Sequence, residues 1–447
     1  MRAVVSVAIA LLWASLAWAE VAVTVYNQNL GLITDLRRFE LKSGLQSIRL
    51  SDVAAQIEPT SVRIEFPSTA VELYEQNYHY DLVNTQAILQ RYLDRTVRLI
   101  TKDGQLYEGT LLSTGSMYVL KAGLELRLIN PAEVLQVDLA ELPEGFYTRP
   151  TLEWLVGATH GGPVDAEVSY LTSGIGWHAD YVAHLNSDDS RLELSGWASI
   201  DNRSGATYED AKLKLIAGDI HRAPQDRPIM FRGEAASAME AALPKAGFDE
   251  RSFFEYHLYD LPRKTTVANN ETKQIALFEP AGAAVTKKYM YRPYKNPQKV
   301  AVVVEFENSK GNGLGIPLPA GLVRLTKADI DGSAQLLGED RIDHTPKDEK
   351  LTLEVGNAFD LTPEFTVTDR RQITRTVTES DVKIKLRNHK SVRVTIEVEQ
   401  KAYSWTEWQI LRSSLPYAKV DADTFRFDVD LPVDGEVELT YTIRTGR

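Results

Sequence analysis

The residues that come closest to a metal-binding or catalytic set lie in one predicted strand, GWHADYVAHL. His178, Asp180 and His184 share one face of this strand, because side chains alternate between the two faces. Two imidazoles and a carboxylate are suitable ligands for zinc. The two histidines are separated by about 20 Å along an extended strand, however, whereas ligand bonds to zinc are only about 2 Å long. The spacing therefore favours solvent-exposed strand residues over a metal site.

Three further sets could do chemistry if the fold supplied partners. His257 and Tyr259 share a face of FEYHLYDL and could form a catalytic dyad, although a buried, hydrogen-bonded histidine is the simpler interpretation. Asp340 and Asp343 could serve glycoside hydrolysis if their carboxyl groups lay about 5 to 10 Å apart across a groove. The turn Asp329–Ser333 is similar to a calcium loop but lacks the remaining oxygen ligands and the terminal Glu. We predict no catalytic residue, no metal and no cofactor.

Aromatic residues are the remaining signal of function. No GxSxG, HExxH, P-loop or CxxC motif is present, which shifts the interpretation toward binding. Tyr403, Trp405, Trp408 and Tyr417 lie close together between charged strands. Aromatic rings on a β-sandwich can stack on sugar rings or anchor a protein partner. These four are the predicted binding residues, and the alternative is that Trp405 and Trp408 cover the core or an edge of a sheet.

The composition narrows the class of protein. The chain has 447 residues, a formal net charge of −12 at pH 7 and no cysteine. Disulfide bonds and a lipid-bearing cysteine are thereby excluded, and a chain of this length is expected to form about two to four domains. The acidic balance, with no block rich in Lys and Arg, disfavours nucleic acid as a partner.

The first 19 residues have the three parts of a secretory signal peptide. Arg2 is the basic start, an apolar run follows from Ala3 to Leu16, and Ala17-Trp18-Ala19 supplies small residues before a cut. No later stretch has the roughly 20 apolar residues of a spanning helix, so no transmembrane anchor is expected after cleavage. We predict a periplasmic or secreted protein, and the alternative is an uncleaved anchor.

Short alternating runs with Gly, Asn and Pro between them predict a mainly β protein of several antiparallel β-sandwiches with a small inserted barrel. A helix from Asn84 to Arg95 precedes five strands whose order is similar to an SH3-like or Sm-like barrel. Sm-like barrels often bind RNA, but few aromatic residues are available here to stack on bases. The predicted domains are a signal peptide over 1–19, an N-terminal β-module over 20–82, the helix and barrel over 83–142, a central β-sandwich over 151–290 with a mobile excursion over 222–250, and a C-terminal immunoglobulin-like β-sandwich over 291–447.

The alternation is clearest between Tyr170 and Asp219, where two neighbouring strands should pack one face and leave the other polar. In the first strand, the residues predicted to be packed are Trp177, Ala179, Tyr181, Ala183 and Leu185, and the residues predicted on the polar face are His178, Asp180, Val182 and His184. In the second strand, the packed residues are Leu192, Leu194, Ala198 and Ile200. A turn over 202–205 ends this strand.

Several blocks between residues 169 and 361 resemble one bacterial family, domain of unknown function 4139, whose relatives include proteins labelled mucoidy inhibitor A. The blocks are SYLTSGIGWHADY, LSGWASIDNRSGATYEDAKLKLIAGD, FEYHLYDLPRKTTVANNETKQIALF, GLGIPLPAGLVRL and GEDRIDHTPKDEKLTLEVGNAFDL. The resemblance covers roughly 151–447, and the N-terminal β-module also resembles the one that accompanies this domain. Many relatives carry a long coiled coil where this chain has the small barrel. The resemblance implies no reaction that can be transferred to residues of this chain.

Together these observations favour a non-enzymatic binding or scaffolding protein of the cell envelope. An envelope protein or a polysaccharide is the expected partner. The alternative is an envelope hydrolase acting on a glycan or a peptide, with a divergent site at the junction of the large β-domains. A concave cleft with converging carboxylates or imidazoles would favour the hydrolase, whereas flat sheet faces with exposed Tyr or Trp would favour binding.

Overall fold

The structure is a computed structural model that describes residues 20–68, 70–79, 85–140, 147, 149–218, 220–222, 248–402 and 407–446. The predicted signal peptide, residues 223–247 of the predicted excursion, and Tyr403 and Trp405 lie outside these residues. Within them the chain is mainly β, which confirms the predicted fold class. None of the helices in these ranges is both long and apolar enough to cross a membrane.

The described residues of the first part of the chain form ten strands and one α-helix. Its strands are β1 (Glu20–Tyr26), β2 (Leu30–Leu41), β3 (Gly44–Ser51), β4 (Arg63–Glu65) and β5 (Val71–His79), and then β6 (Thr96–Thr101), β7 (Leu106–Thr114), β8 (Tyr118–Ala122), β9 (Glu125–Ile129) and β10 (Val134–Asp138). The helix α1 covers Thr85–Arg91, and short 3-10 helices cover Pro59–Ser61 and Pro131–Glu133.

Long strands form the middle of the chain and the C-terminal half. The middle strands are β11 (Thr151–Ala158), β12 (Gly162–Ser173), β13 (Ile175–Leu185), β14 (Arg191–Asn202), β15 (Tyr208–Ala217), β16 (Asp249–Phe253), β17 (Tyr256–Asp260), β18 (Thr265–Val267), β19 (Glu271–Ala284) and β20 (Thr286–Tyr291). The later strands are β21 (Ala301–Glu307), β22 (Gly321–Ala328), β23 (Ala334–Ile342), β24 (Lys350–Asn357), β25 (Leu361–Gln372), β26 (Val377–Asn388), β27 (Val394–Lys401), β28 (Glu407–Ser413), β29 (Tyr417–Lys419), β30 (Thr424–Leu431) and β31 (Glu436–Gly446), with a 3-10 helix at Lys310–Asn312.

The largest sheet joins strands from the beginning and the middle of the chain. Its order is β16-β17-β15-β1-β2-β12-β4, with β18 paired to β15, and β1 lies parallel to β15. A second sheet has the order β3-β11-β5. Strand pairing therefore crosses the limit predicted between 20–82 and 151–290. The predicted domain limits stay predictions, because pairing of this kind does not by itself define where one domain ends.

A mixed sheet with the order β19-β14-β13-β22-β23, which we call the central sheet, packs on this assembly. Its buried side follows the predicted alternation, since Trp177 and Tyr181 are buried while His178 and His184 are exposed. The two buried aromatic side chains are also hydrogen-bonded: Trp177 Nε1 donates to the Ile216 carbonyl at 3.0 Å, and the Tyr181 hydroxyl donates to the Pro319 carbonyl at 2.8 Å. The face assignments predicted for both strands are confirmed.

The five strands after the helix form a separate antiparallel sheet, the small sheet, with the order β10-β6-β7-β8-β9. The helical segment packs against this sheet. Leu89 and Tyr92 pack with Leu99 and Leu120 in its own core. The helix ends at Arg91, before the predicted Arg95, and Asp94 adopts a left-handed φ of 64° that does not continue a helix. Among the described residues β9 and β10 are not paired with each other, so the closure of an SH3-like barrel is not shown.

Two sheets facing each other form the C-terminal sandwich. One has the order β24-β21-β20-β27-β30-β29 and the other β25-β26-β31-β28. Phe425 and Phe427 of β30 are fully buried against Tyr441 of β31, with ring centroids 5.7 and 5.3 Å from the tyrosine ring. The strand β21 serves two cores, because Val304 and Phe306 belong to the core under the central sheet. Val302 packs against the core of the C-terminal sandwich.

Candidate functional site

The solvent side of the central sheet carries a network of polar side chains together with a tryptophan, which we call the polar face. Its members come from all five strands of that sheet and are His178, Asp180, Trp197, Ser199, Gln274, Arg324 and Glu339. Residues that pair directly across neighbouring strands point to the same side of a sheet. The register places His178 opposite Ser199 and Asp180 opposite Trp197. Long-range pairing thus gathers residues that are far apart in the sequence.

Asp180 is the centre of this network. The Ser199 hydroxyl donates to Asp180 Oδ2 at 2.5 Å, and His178 Nε2 lies 3.2 Å from the same oxygen. Arg324 Nη1 approaches Asp180 Oδ1 at 3.5 Å. Only 14% of the Asp180 side chain is exposed, so the carboxylate is held by its neighbours and is largely withdrawn from water. The network therefore orders a charged group at the surface of the sheet.

The order of the contacts argues against nucleophilic catalysis. In a Ser-His-Asp triad the histidine lies between the hydroxyl and the carboxylate, so that it can accept the proton of the hydroxyl. Here Asp180 lies between Ser199 and His178. Ser199 is fully buried, and its oxygen also accepts a hydrogen bond of 2.9 Å from Gln274 Nε2. The hydroxyl is thus a structural link between strands and not an available nucleophile.

The polar face continues to the edge of the sheet through Arg324. Its Nε donates to Glu339 Oε1 at 2.9 Å, while its Nη1 faces Asp180. Side chains of this pair are nearly half exposed, so the ion pair adds little to stability. What it does is restrict the rotamers of Arg324, and a side chain that is already ordered loses less entropy when it contacts a ligand.

Trp197 is the aromatic residue of the polar face. It lies on the side of the sheet that faces away from the core, and 40% of its surface is exposed. In the neighbouring strands it pairs with Asp180 and with Ala276. Sequence reasoning missed Trp197 as a site residue. The available signal was a large aromatic at a position where strict alternation expects a polar residue.

The aromatic residues predicted to bind a partner gather around Phe425 of the C-terminal sandwich. The Trp408 ring lies 5.1 Å from the Phe425 ring, and its Nε1 donates to the Ala422 carbonyl at 2.8 Å. Tyr417 lies 6.3 Å from the same ring and is 41% exposed. The ammonium group of Lys419 lies 5.2 Å from the Trp408 ring centre. The structure brings Trp408 and Tyr417 together, and their role in binding stays a prediction.

The histidines considered in the sequence do not converge. His184 Nδ1 lies 3.1 Å from Thr326 Oγ1, away from the partners of His178. His257 Nδ1 lies 2.7 Å from Glu250 Oε1, whereas the Tyr259 hydroxyl donates to the Pro317 carbonyl at 3.2 Å. The two residues of the predicted dyad thus have separate partners. Within the described ranges there is no group of three or more His, Cys, Asp or Glu side chains placed to hold a metal ion.

The acidic candidates have structural partners. Asp340 accepts backbone hydrogen bonds from Arg341 at 2.8 Å and from Glu354 at 2.6 Å, which ties β23 to β24. Asp331 accepts from the backbone and the hydroxyl of Ser333, at 2.8 and 2.6 Å, and so closes its own turn. Both carboxylate oxygens of Asp340 are thus engaged by backbone N–H groups, and one oxygen of Asp331, Oδ1, accepts both bonds from Ser333.

A shallow cleft of about 640 Å³ lies where β19 and β20 meet β21. Its charged lining includes Lys288, Lys350 and Glu305, and Glu305 accepts from both lysines at 2.8 and 2.6 Å. Burial by itself would raise the pKa of Glu305, but hydrogen bonds and charges from the two lysines outweigh it and hold the pKa below its usual value. A carboxylate that stays ionised is a poor general acid, so Glu305 does not meet that requirement of a glycosidase.

Fold and site together define a mainly β protein of several packed sheets, with an ordered polar face on its central sheet. The chain belongs to the family described as Domain of unknown function (DUF4139), whose profile matches residues 166–443. This confirms the resemblance seen in the sequence. The match begins within β12, so β1 and β2, which complete the sheet of β12, precede it.

Other comparisons add little. No curated protein is similar enough to match this sequence. Among solved structures, one from Parabacteroides distasonis ATCC 8503, named as a candidate protease, is similar over 96% of this chain and 92% of that chain, with 9% sequence identity and a TM-score of 0.14. With a TM-score this low, the likeness does not define a common fold or a function.

Proposed function

We propose that this protein is an exported, non-enzymatic binding protein of the cell envelope that holds a polysaccharide chain on its polar face. The observation that carries the proposal is the position of Trp197. A partly exposed indole ring lies in the same register as a carboxylate that its neighbours hold in place. An aromatic ring supplies a large rigid contact, and ordered polar groups beside it supply directional hydrogen bonds.

The chemistry of the polar face suits a ligand rich in hydroxyl groups. Hydroxyl groups both donate and accept hydrogen bonds, and the face offers acceptors on Asp180 and Glu339 and donors on Arg324 and His178. Charges of both signs are present and largely paired, which favours a neutral or weakly charged chain over a strongly charged one. The central sheet presents this chemistry over several neighbouring strands, as an extended ligand requires.

A protein partner is less well matched by the same face. Cores of protein interfaces are apolar and enriched in aromatic residues, with charged residues depleted. Among the described residues on the solvent side of the central sheet, the exposed large apolar side chains Trp197, Val182 and Leu336 are interspersed with ionisable groups. Burying those groups under a protein would cost desolvation that a hydroxyl-rich chain can offset by hydrogen bonds.

Hydrolysis of the bound glycan is disfavoured by the geometry. Glycosidases need one carboxylic acid whose pKa is raised and a second carboxylate across the scissile bond. On the polar face Asp180 accepts a hydrogen bond from Ser199 and Glu339 accepts one from Arg324, so neighbouring side chains already engage both carboxylates. The envelope hydrolase of the sequence analysis is therefore the outcome against which the binding proposal is tested.

The proposal is tested by binding of the purified protein to isolated envelope glycan and to a panel of soluble neutral and anionic polysaccharides. The wild type should bind at least one of these, and Trp197→Ala should weaken binding at least about 10-fold, because exposed tryptophans commonly dominate binding energy. Trp408→Ala is the matched control. Its ring belongs to the other aromatic site, so it should leave the affinity unchanged.

Three outcomes would contradict the proposal. Equal affinities of the wild type and Trp197→Ala would remove the polar face from the binding site. Loss of binding only in Trp408→Ala would move the site to the predicted aromatic cluster of the C-terminal sandwich. Release of new reducing ends from the glycan during incubation would identify a hydrolase instead. Localisation is tested in the same cells by osmotic-shock fractionation, where the protein should appear in the periplasmic or secreted fraction with its first 19 residues removed.

A further inference from the structure

The strand β9 is an edge of the small sheet. It pairs with β8 from Tyr118 opposite Ile129 to Ala122 opposite Glu125, and among the described residues no strand lies on its other side. An edge of this kind presents a row of unpaired backbone N–H and C=O groups that can pair with another strand. Natural proteins usually protect such edges with charges, bulges or covering segments.

The other edge of the same sheet has that protection. The strand β10 contains a bulge between Val134 and Gln136, and it carries Asp138 opposite Arg98. A bulge twists an edge away from regular pairing, and a charge disfavours docking of a second strand. The strand β9 pairs with β8 without a bulge, and its two charged residues, Glu125 and Arg127, are of opposite sign, so the two edges differ in what they permit.

Leucines line the solvent side of β9. Leu126 and Leu128 are 61% and 64% exposed, and the preceding Leu124 is fully exposed. They alternate with Glu125 and Arg127, which form an ion pair of 3.1 Å with each other. The core side of the strand is separate, because Leu120, which pairs with Arg127, is buried in the small sheet's own core. The exposed leucines therefore contribute little to that core.

The five residues 124–128 read Leu-Glu-Leu-Arg-Leu, and this order is complementary to itself. If two copies pair antiparallel about Leu126, each Glu125 faces Arg127 of the other copy. Leu126 then faces the same residue of the other copy, and Leu124 faces Leu128. We propose that β9 is an interaction surface for a second copy of this chain, joined edge to edge in one continuous antiparallel sheet.

The charges select this register over its neighbours. Pairing about Arg127 would place two arginines opposite each other, and pairing about Glu125 would place two glutamates opposite each other. Like charges directly opposite in a sheet destabilise it, whereas opposite charges and apolar pairs stabilise it. A twofold axis through Leu126 is also what a symmetric dimer needs, because the same patch must serve both copies.

The dimer should be weak and dependent on concentration. An interface built on one short strand buries less than about 1,200 Å², which is the size of transient complexes. Sedimentation velocity over a range of about 1 µM to 1 mM covers affinities of this order. Protein purified from cells that express the chain should shift from the mass of the monomer toward twice that mass as its concentration rises.

Exchange of the two charges tests the register itself. Glu125→Arg and Arg127→Glu each place like charges opposite each other in both symmetric positions, so each should weaken dimerisation at least about 10-fold. The double variant Glu125→Arg/Arg127→Glu restores opposite charges and should dimerise like the wild type. A mixture of the two single variants should form a heterodimer, since one copy then carries two arginines and the other two glutamates.

Either of two results would overturn the proposal. A wild type that stays monomeric throughout this range would show that β9 does not pair with a second copy. Finding that another segment of the same chain covers β9 would show the same. If the two single variants, the double variant and the mixture of single variants all dimerise as strongly as the wild type, the interface lies elsewhere. Thermal melting of each variant identifies any loss of fold. All of these side chains are on the surface, so the melting temperatures should stay close to that of the wild type.

Discussion

The central sheet and the small sheet each bury one side, but the first presents a polar network to the solvent and the second presents leucines. The buried side contains Trp177 and Tyr181 in the first and Leu99 and Leu120 in the second. On the exposed side of the central sheet, hydrogen bonds converge on Asp180. On the exposed side of the small sheet, leucines of β9 stand free of the core. Backbone pairing alone therefore does not determine what a sheet binds.

The difference follows from the position of the strands as well as from their residues. The strands β13 and β14 lie inside the central sheet with a neighbour on both sides, so their polar side chains can bond across three or four strands. The strand β9 has one neighbour, and its second side is open among the described residues. An interior strand can build a face, whereas an edge strand can extend a sheet.

The largest expected effect tests the two sides of β13. Trp177→Ala should lower the free energy of unfolding by about 3–5 kcal/mol, because the side chain is buried and packs edge-on against Tyr259 at 6.0 Å. His178→Ala on the solvent side should cost less than about 1 kcal/mol. Urea unfolding of both variants measures the difference. A larger loss for His178→Ala would reverse the assigned faces.

The corresponding pair in the small sheet sharpens the comparison. Leu99→Ala should destabilise this sheet by about 2–5 kcal/mol, since Leu99 is fully buried. Leu126→Ala should stay within about 0.5 kcal/mol of the wild type, because the side chain is mostly exposed. Hydrogen exchange of the backbone amides in β6 and β9 measures the stability change in each variant. If Leu126→Ala destabilised the monomer as much as Leu99→Ala, the apolar edge would belong to the fold and not to an interface.

Removal of the charge at the centre of the polar face should have an intermediate effect. Asp180→Asn keeps the shape but weakens the contacts with Ser199, His178 and Arg324, and hydrogen bonds to charged groups are worth about 1.5–3 kcal/mol. We expect a loss within that range in chemical denaturation and a weaker affinity for glycan. Glu339→Gln, at the exposed end of the network, is the control and should change stability by less than about 1 kcal/mol. An equal loss in both variants would mean that Asp180 is not the centre.

The smallest effect concerns pH and the cleft beside the central sheet. The folded-state pKa of Glu305 is lowered, so its stabilising contribution is present above the unfolded pKa and is lost as pH falls through the folded value. The stability difference between the wild type and Glu305→Gln should therefore be largest near neutral pH and vanish in acid. Thermal melts from neutral to acidic pH measure it. A difference that grew on acidification would contradict the two-lysine environment of this carboxylate.

Some residues of the polar face were predictable from the sequence, and others were not. His178 and Asp180 were assigned to the right side of their strand, because alternation with period 2 is local. Ser199, Gln274 and Arg324 have no local signal, since each meets the network only through pairing between distant strands. Trp197 was visible as an exception to alternation, but only its exposure shows that it is not packed.

By itself, the sequence determined the mainly β class, the family and the buried side of the strands around Trp177, because composition and alternation act over a few residues. Tertiary structure alone decided that β1 lies parallel to β15, that β13 pairs with β22, and that Asp180 meets Arg324. These choices depend on which strands find each other across more than a hundred residues. The free energy of such pairing comes from cores and cross-strand contacts that exist only after the chain has folded.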